Sequence, residues 1–181
     1  MQLTVNDDIY LRSLTPHDAD ALFKATDESR LFLREWLPWL DGIQTADNSR
    51  HFIEWTNALE ADNRALIFGI FFEDQLVGTA GYNTIDSRNR IGKIGYWLSE
   101  KVNGKGIMRQ SIKEIVDYGF SKLELNRIEI CCATENVKSR RIPKSLGFTY
   151  EGEIRDGEWL YDHYVNHHIY GMLKKEWPVR A

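Results

Sequence analysis

Apolar residues along this chain recur with two periods, and the switches between them mark out its elements. Alternation from Ile9 to Leu14 predicts a strand. Thr15-Pro16-His17-Asp18 then supplies an N-cap, a proline at the first helical position and an early acid, so a helix is predicted to about Ser29. The aromatic and apolar segment from Leu31 to Leu40 is interrupted by Pro38. It therefore forms no long regular helix and is expected to line a groove or close the core. Between Thr45 and Asn63 the positions Phe52, Ile53, Trp55, Thr56 and Leu59 mark a second amphipathic helix. Strands then dominate: Ala65 to Phe72, a turn at Glu73-Asp74, and Leu76 to Tyr82 predict a hairpin, to which Gly92 to Leu98 adds a third strand. A glycine-bearing turn follows, then a helical run from Arg109 to Phe120, a strand from Arg127 to Ala133, a short helix from Val137 to Leu146, and two closing strands around Asp156-Gly157.

No repeat, low-complexity tract or linker divides this pattern, and 43% apolar with 28% charged residues is a usual globular proportion. One domain over residues 1–181 is expected. The longest apolar run, Ala65 to Phe72, has eight residues, too few to span a bilayer as a helix, and the first residues lack the basic and apolar regions of a secretory signal. A cytoplasmic protein without membrane attachment is the expectation. Cys131 and Cys132 are the only two cysteines. Adjacent in a predicted strand, they point to opposite faces and form no disulfide framework. No metal site is expected, because His163, His167 and His168 lack partners at ligand spacing. The net charge of −4 is uneven: residues 101–144 hold ten Lys and Arg against five acids, +5, which leaves −9 for the rest. A basic half suits a polyanionic co-substrate, whereas the acidic total argues against nucleic-acid binding.

The turn within that basic half is Asn103-Gly104-Lys105-Gly106-Ile107-Met108. Glycines let backbone approach a ligand, and a helix starting there points N–H groups and its positive dipole end into the turn. A pyrophosphate would fit; a ligand-free strand-to-helix turn is the plain rival. A dinucleotide fold is disfavoured, because position 109 is Arg rather than a third glycine and the preceding strands read as antiparallel hairpins.

The order strand, glycine turn and helix, strand, short helix ending in Gly147-Phe148 resembles the GCN5-related N-acetyltransferase (GNAT) superfamily over most of the chain. Within it, Gly95-Tyr96-Trp97-Leu98-Ser99, Gly104 to Met108, Leu125 to Ile130, Ala133 to Arg140, Leu146 to Gly152 and Arg34 to Trp39 are similar to the RimL branch, which acetylates protein N-termini. The resemblance implies a mixed α/β fold with a largely antiparallel central sheet and helices on both faces. It implies acetyl-CoA as co-substrate and no metal. Its cradle pattern, Gln or Arg, two residues, Gly, one residue, Gly or Ala, falls on Asn103, Gly106 and Met108, so two positions depart from the commonest form. A cradle made of backbone N–H groups tolerates such changes. The backbone of Tyr96, Trp97 and Leu98 would bind the pantetheine arm as an added strand, with Asn136 touching it from the opposite strand end. Asn136 also reads as an N-cap.

Acetyl transfer to an amine needs an uncharged amine, a stabilised oxyanion and a proton for the departing thiolate. Many superfamily members give that proton from a tyrosine seven residues beyond the asparagine; here that position is Pro143, which has no donor. The RimL branch implies Ser139 as donor to the thiolate and Glu158 as base. The plain rivals are a capping serine and a solvated charge beside the Asp156-Gly157 turn. Glu153, Asp162 and His163 are further candidate bases, and strand alternation puts His163 and His167 on one face and His168 on the other. An α-amine, with a reference pKa of about 7.7–8.0 against about 10.4 for lysine, asks less of a base and favours N-terminal acetylation. Trp36 and Trp39 are candidates for the acceptor groove, with core packing as their rival. Cys131 and Cys132 have no His-Asp partner at a useful spacing and are not expected to be nucleophiles. The expected function is acetyl-CoA-dependent acetylation of a primary amine, foremost the α-amine of a ribosomal protein. Small amines (polyamine, aminoglycoside or amino-acid derivative) are the alternative acceptors, and a non-catalytic acyl-CoA-binding module the alternative class. Closed two-fold symmetry being the commonest assembly, a homodimer is expected.

Overall fold

The computed structural model describes residues 1–178. Eight strands form one sheet in the order β1-β2-β3-β4-β5-β6-β8-β7: β1 Gln2–Thr4, β2 Ile9–Ser13, β3 Leu66–Phe72, β4 Gln75–Asp86, β5 Ile91–Leu98, β6 Arg127–Ala133, β7 Thr149–Leu160 and β8 His163–Leu173. Five helices accompany them: α1 Ala19–Asp27, α2 Arg30–Arg34, α3 Ala46–Ala61, α4 Ile107–Ser121 and α5 Val137–Ser145. Every neighbouring pair of strands is antiparallel except β5 and β6. Parallel neighbours need a long crossover, and α4 is that crossover. Among the described residues no helix is long and apolar enough to cross a membrane.

Alternation along β3 explains the layers. Leu66, Phe68 and Ile70 join the larger core with Ile107, Ile112 and Ile115 of α4, while Phe71 packs on the opposite face with Leu22 of α1 and Ile53 of α3. Truncating a fully buried isoleucine such as Ile112 to Ala would cost about 2–5 kcal/mol. α4 lies close against the sheet because residue 119 is glycine. The buried Tyr82 hydroxyl donates to Ile115 O at 2.9 Å, and a Cβ on Gly119 would come within 1.9 Å of that hydroxyl.

Helix starts follow their capping residues. Thr15 donates its N–H and hydroxyl to Asp18 Oδ2 at 2.8 and 2.9 Å, and Arg12 binds the same carboxylate through two nitrogens at 2.8 and 2.6 Å. At α3, Asn48 N donates to Thr45 Oγ1 at 3.4 Å while Asn48 Oδ1 accepts from Thr45 N at 3.0 Å. As the sequence predicts, the Leu31–Leu40 segment forms no long helix: it leaves α2 and runs through Pro38 as irregular chain. Arg30 ties it down by donating to Leu40 O at 3.0 Å and Ile43 O at 2.6 Å.

Three expectations are corrected. β1 was not anticipated; it pairs with β2 at the sheet's edge. α4 begins at Ile107 rather than Arg109, because Ile107 and Met108 already face the core. The closing strands do not turn at Asp156-Gly157. Asp156 does take the left-handed conformation (φ 51°), yet its N–H donates to Asn166 Oδ1 at 2.9 Å and the chain stays on its partner strand. The residues become a bulge, where pairing jumps from Ile154↔His167 to Glu158↔Val165. The real reversal is at Tyr161 (φ 61°) and Asp162.

Candidate functional site

β5 and β6 begin side by side and then part. Their pairing runs from Ile91↔Arg127 to Ile94↔Ile130 and stops. Beyond it, Tyr96, Trp97 and Leu98 pair only with β4, and Cys131, Cys132 and Ala133 only with β8. Each strand thus turns an unpaired edge toward a gap, and backbone polar groups there need partners from outside the sheet. A cavity of about 730 Å3 fills the gap and extends under α1 and α3.

At the C-terminal end of β5 the glycine turn leads into α4. Gly104 and Gly106 have φ of +82° and +76°, a region side chains disfavour, and a Cβ would meet nothing within 4 Å at Gly104 and only Gln110 Nε2 at 3.7 Å at Gly106. These glycines are therefore needed for their torsions, and the space above them is open. α4 has no side-chain cap, and Gln110 N→Gly106 O at 3.1 Å is the bond that closes its first turn. The N–H groups ahead of that bond have no partner within the helix, the arrangement that favours an anion at a helix start. Lys105 reaches over the Phe72 ring at 4.7 Å, beside the turn. The donor set fits a diphosphate.

Alternation sends Tyr96 and Trp97 to opposite faces of the sheet. Asn136 caps α5, its Oδ1 accepting from Ser139 N at 3.0 Å. Pro143 sits inside α5 and has no N–H for the carbonyl four residues back, Ser139 O. The Tyr96 hydroxyl donates to that carbonyl at 3.0 Å. The Ser139 hydroxyl in turn lies 3.2 Å from both Tyr96 Oη and Cys132 Sγ, so its single proton has two acceptors. Burial pushes the Tyr96 phenol well above its ordinary pKa and raises the Cys132 thiol against the pull of its Ser139 and Tyr96 hydrogen bonds; the exposed Cys131 thiol is raised too, by partial desolvation and the Glu129 carboxylate. All three stay protonated near neutrality.

On the other face Trp36, Trp39, Phe52 and Trp55 line the cavity, and Trp39 stands 6.5 Å from the Trp97 ring. The Trp97 side chain therefore shapes this wall, as a groove aromatic. Glu158 enters the cavity from β7, with His167 Nε2 at 3.4 Å from its Oε2.

One cavity thus gathers Tyr96, Trp97, Asn136, Ser139, Glu158, Trp36 and Trp39. Leu98, Asn103, Gly104, Lys105, Gly106, Ile107 and Met108 lie outside its lining; the Ile107 and Met108 side chains are buried in the core. Three further candidate bases fall away from the cavity. Glu153 contacts Asn166 at 2.6 Å and His168 at 3.3 Å, and Asp162 and His163 bond each other at 2.6 Å in the exposed turn. Sequence reasoning missed the Tyr96 hydroxyl, Cys132 as an acceptor, the α3 wall of Phe52 and Trp55, and the Glu158–His167 contact. A proline within a helix was the one available signal that some other donor must serve Ser139 O. Among the described residues no cluster suited to a metal is present.

Residues 8–149 match the family described as acetyltransferase (GNAT) domain. YdaF of Bacillus subtilis (strain 168), named provisionally as a ribosomal N-acetyltransferase, is 36% identical over 177 residues, 96% of this chain and 95% of its own. The ribosomal-protein-serine acetyltransferase of Escherichia coli (strain K12) is 27% identical over 171 residues, 94% of this chain and 96% of its own. Among solved structures, the microcin C7 self immunity acetyltransferase MccE in complex with acetyl-CoA and AMP superposes with a TM-score of 0.89 at 29% identity, covering 93% of this chain and 94% of that one.

Proposed function

From the premise that the chain belongs to the GNAT acetyltransferase family and is an N-acetyltransferase, we propose that it moves the acetyl group of acetyl-CoA to the α-amine of a protein N-terminus, in the first place that of a ribosomal protein. The observation that carries this reading is the parting of β5 and β6. A pantetheine arm laid along the open edge at Tyr96, Trp97 and Leu98 would run from the Gly104–Gly106 cradle into the cavity, adding a strand's worth of hydrogen bonds. Its thioester would then meet Ser139 from the α5 side and Glu158 from the β7 side. The amine nitrogen attacks the thioester carbon and the C–S bond breaks. Glu158 takes the amine proton and releases it to solvent, while the Ser139 hydroxyl gives a proton to the sulfur and recovers one from solvent as the products leave. The relatives named for ribosomal substrates support the acceptor, which is met in the cytoplasm.

Among the described residues that line the cavity, Glu158 is the only carboxylate, and much of the wall is aromatic. That is poor complementarity for polyamines or aminoglycosides, whose several charges want several carboxylates. The aromatic wall does suit a planar group, and MccE was solved with AMP, so an amine-bearing small molecule with a flat ring is the second reading.

The test is release of CoA and mass mapping of the product with three acceptor sets: peptides beginning Ser, Ala or Thr; the same peptides blocked at the α-amine with an internal lysine; and free small amines. Faster acetylation of the first set, at the α-nitrogen, is expected. Preference for the blocked set or for free amines would overturn the proposal.

A further inference from the structure

Glu158 sits where its own strand holds it poorly. The ladder between β7 and β8 is interrupted from Ile154 to Glu158, and the carboxylate is 34% exposed. A catalytic base has to be fixed to within about 0.5 Å and 10–20° of its working geometry, and a glutamate beside a bulge is not fixed by its backbone. The imidazole of His167 meets it. Nε2 lies 3.4 Å from Glu158 Oε2, within ion-pair reach and a small side-chain rotation away from hydrogen-bond geometry.

His167 itself is firmly held. It stands on β8 between Ala133 of β6 and Ile154 of β7, and its side chain is 18% exposed. The bulged β7 backbone crosses the ring at Gly157, where a Cβ would lie 3.3 Å from both His167 Cβ and Cγ. The bulge that loosens Glu158 therefore also brings glycine backbone onto the imidazole. The other ionisable groups lining the cavity are Lys93, Tyr96, Cys131 and Cys132. Lys93 lies 3.7 Å from Glu129, and burial keeps the Tyr96 phenol and the Cys132 thiol protonated.

We propose that His167 is the positioning residue of this site: its Nε2–H donates to one oxygen of Glu158 and turns the other toward the gap between β5 and β6. The inference rests on Glu158 being the proton acceptor. The amine proton passes to Glu158 and leaves to solvent from its exposed side, so His167 gains and loses nothing.

Steady-state kinetics on His167→Ala, His167→Gln, Glu158→Gln and the double variant His167→Ala/Glu158→Gln tests this. His167→Ala is expected to lower kcat at least tenfold with KM for acetyl-CoA unchanged. His167→Gln, whose amide N–H reaches the same oxygen, should keep at least a third of the wild-type rate. The double variant should be no slower than Glu158→Gln alone, because a positioning residue has nothing left to position. Losses that multiply, or a glutamine variant as slow as the alanine one, would overturn the proposal. A second readout needs no acceptor. Nitrogen-15 shifts of His167 should place the proton on Nε2 in the wild type and redistribute it in Glu158→Ala. A wild-type proton on Nδ1 overturns the positioning role even in a fully active enzyme. Should no amine be acetylated while the proton sits on Nε2, the functional reading falls and the contact stands.

Discussion

Replacing Tyr96 by Phe removes one oxygen atom from the junction of sheet, helix and site. That oxygen donates to Ser139 O at 3.0 Å and accepts from Ser139 Oγ, 3.2 Å away. Because Pro143 offers no N–H, Ser139 O loses its donor outright in the variant. An unmade bond at a part-buried carbonyl costs at most about 1–3 kcal/mol, and Phe keeps the ring volume, so no cavity adds to it. For a chain of this size about 2 kcal/mol lowers Tm by about 4–8 °C. Turnover should fall as well, about threefold to tenfold or roughly 0.7–1.4 kcal/mol, because the Ser139 hydroxyl loses the partner that orients it. Burial holds the phenol well above its ordinary pKa, so it is neutral in both assays and the deficit should be the same from pH 6 to pH 9. The decisive comparison is Tyr96→Phe/Pro143→Ala, which returns an N–H to the helix. Thermal unfolding followed by circular dichroism should show Pro143→Ala recovering at least half of the Tyr96→Phe loss. No loss in the single variant, or no recovery in the double, would refute the claim that the phenol stands in for the proline's missing donor.

Glu158→Gln and Ser139→Ala should each lower kcat about tenfold or more, roughly 1.4 kcal/mol, in a CoA-release assay; if neither does, the proposed acid and base are wrong. Gly106→Ala should weaken acetyl-CoA binding and cost about 1–2 kcal/mol, since φ is +76°, whereas Gly42→Ala, with open space and no positive φ, should change neither calorimetric affinity nor Tm. The Asp18 carboxyl is held down at about 2, chiefly by hydrogen bonds from Arg12. A lowered acid stabilises the fold above its unfolded pKa of about 3.9 and loses that contribution as pH falls through about 2. Urea titrations between pH 5 and pH 2 should therefore show about 1–2 kcal/mol lost in the wild type, the pair being partly exposed, and less in Asp18→Asn.

How far the fold could be read from the sequence depended on whether a residue's neighbours were local. Thr15 with Asp18 opens the 3-10 turn Pro16–Asp18 that leads into α1, and Thr45 with Asn48 starts α3, both through contacts three residues apart and both legible in the sequence. The strand periods of β3 to β6 were equally plain. Asp156-Gly157 misled because the same left-handed torsion serves a tight turn and a bulge, and only the distant Asn166 decides between them. Within the site, Asn136 was legible as a cap because its partner is Ser139 N. Tyr96 and Ser139 are 43 residues apart, and Glu158 meets His167 only because the bulge shifts the register. Trp97 read as a strand residue; its side chain's place on the aromatic wall depends on which face α3 covers.

The gap between β5 and β6 also bears on how the molecule holds together. Only four residue pairs join the strands β1 to β5 to the remaining three, with α4 as the chain link between them. The two parts of the sheet share one core but only a brief seam of strand pairing, and a bound acyl-CoA would extend that seam as a ninth strand. Occupancy then becomes structural. At a hundredfold excess over Kd it would add about 2.7 kcal/mol to the folded state, so the amount of intact enzyme would follow the supply of the molecule it consumes.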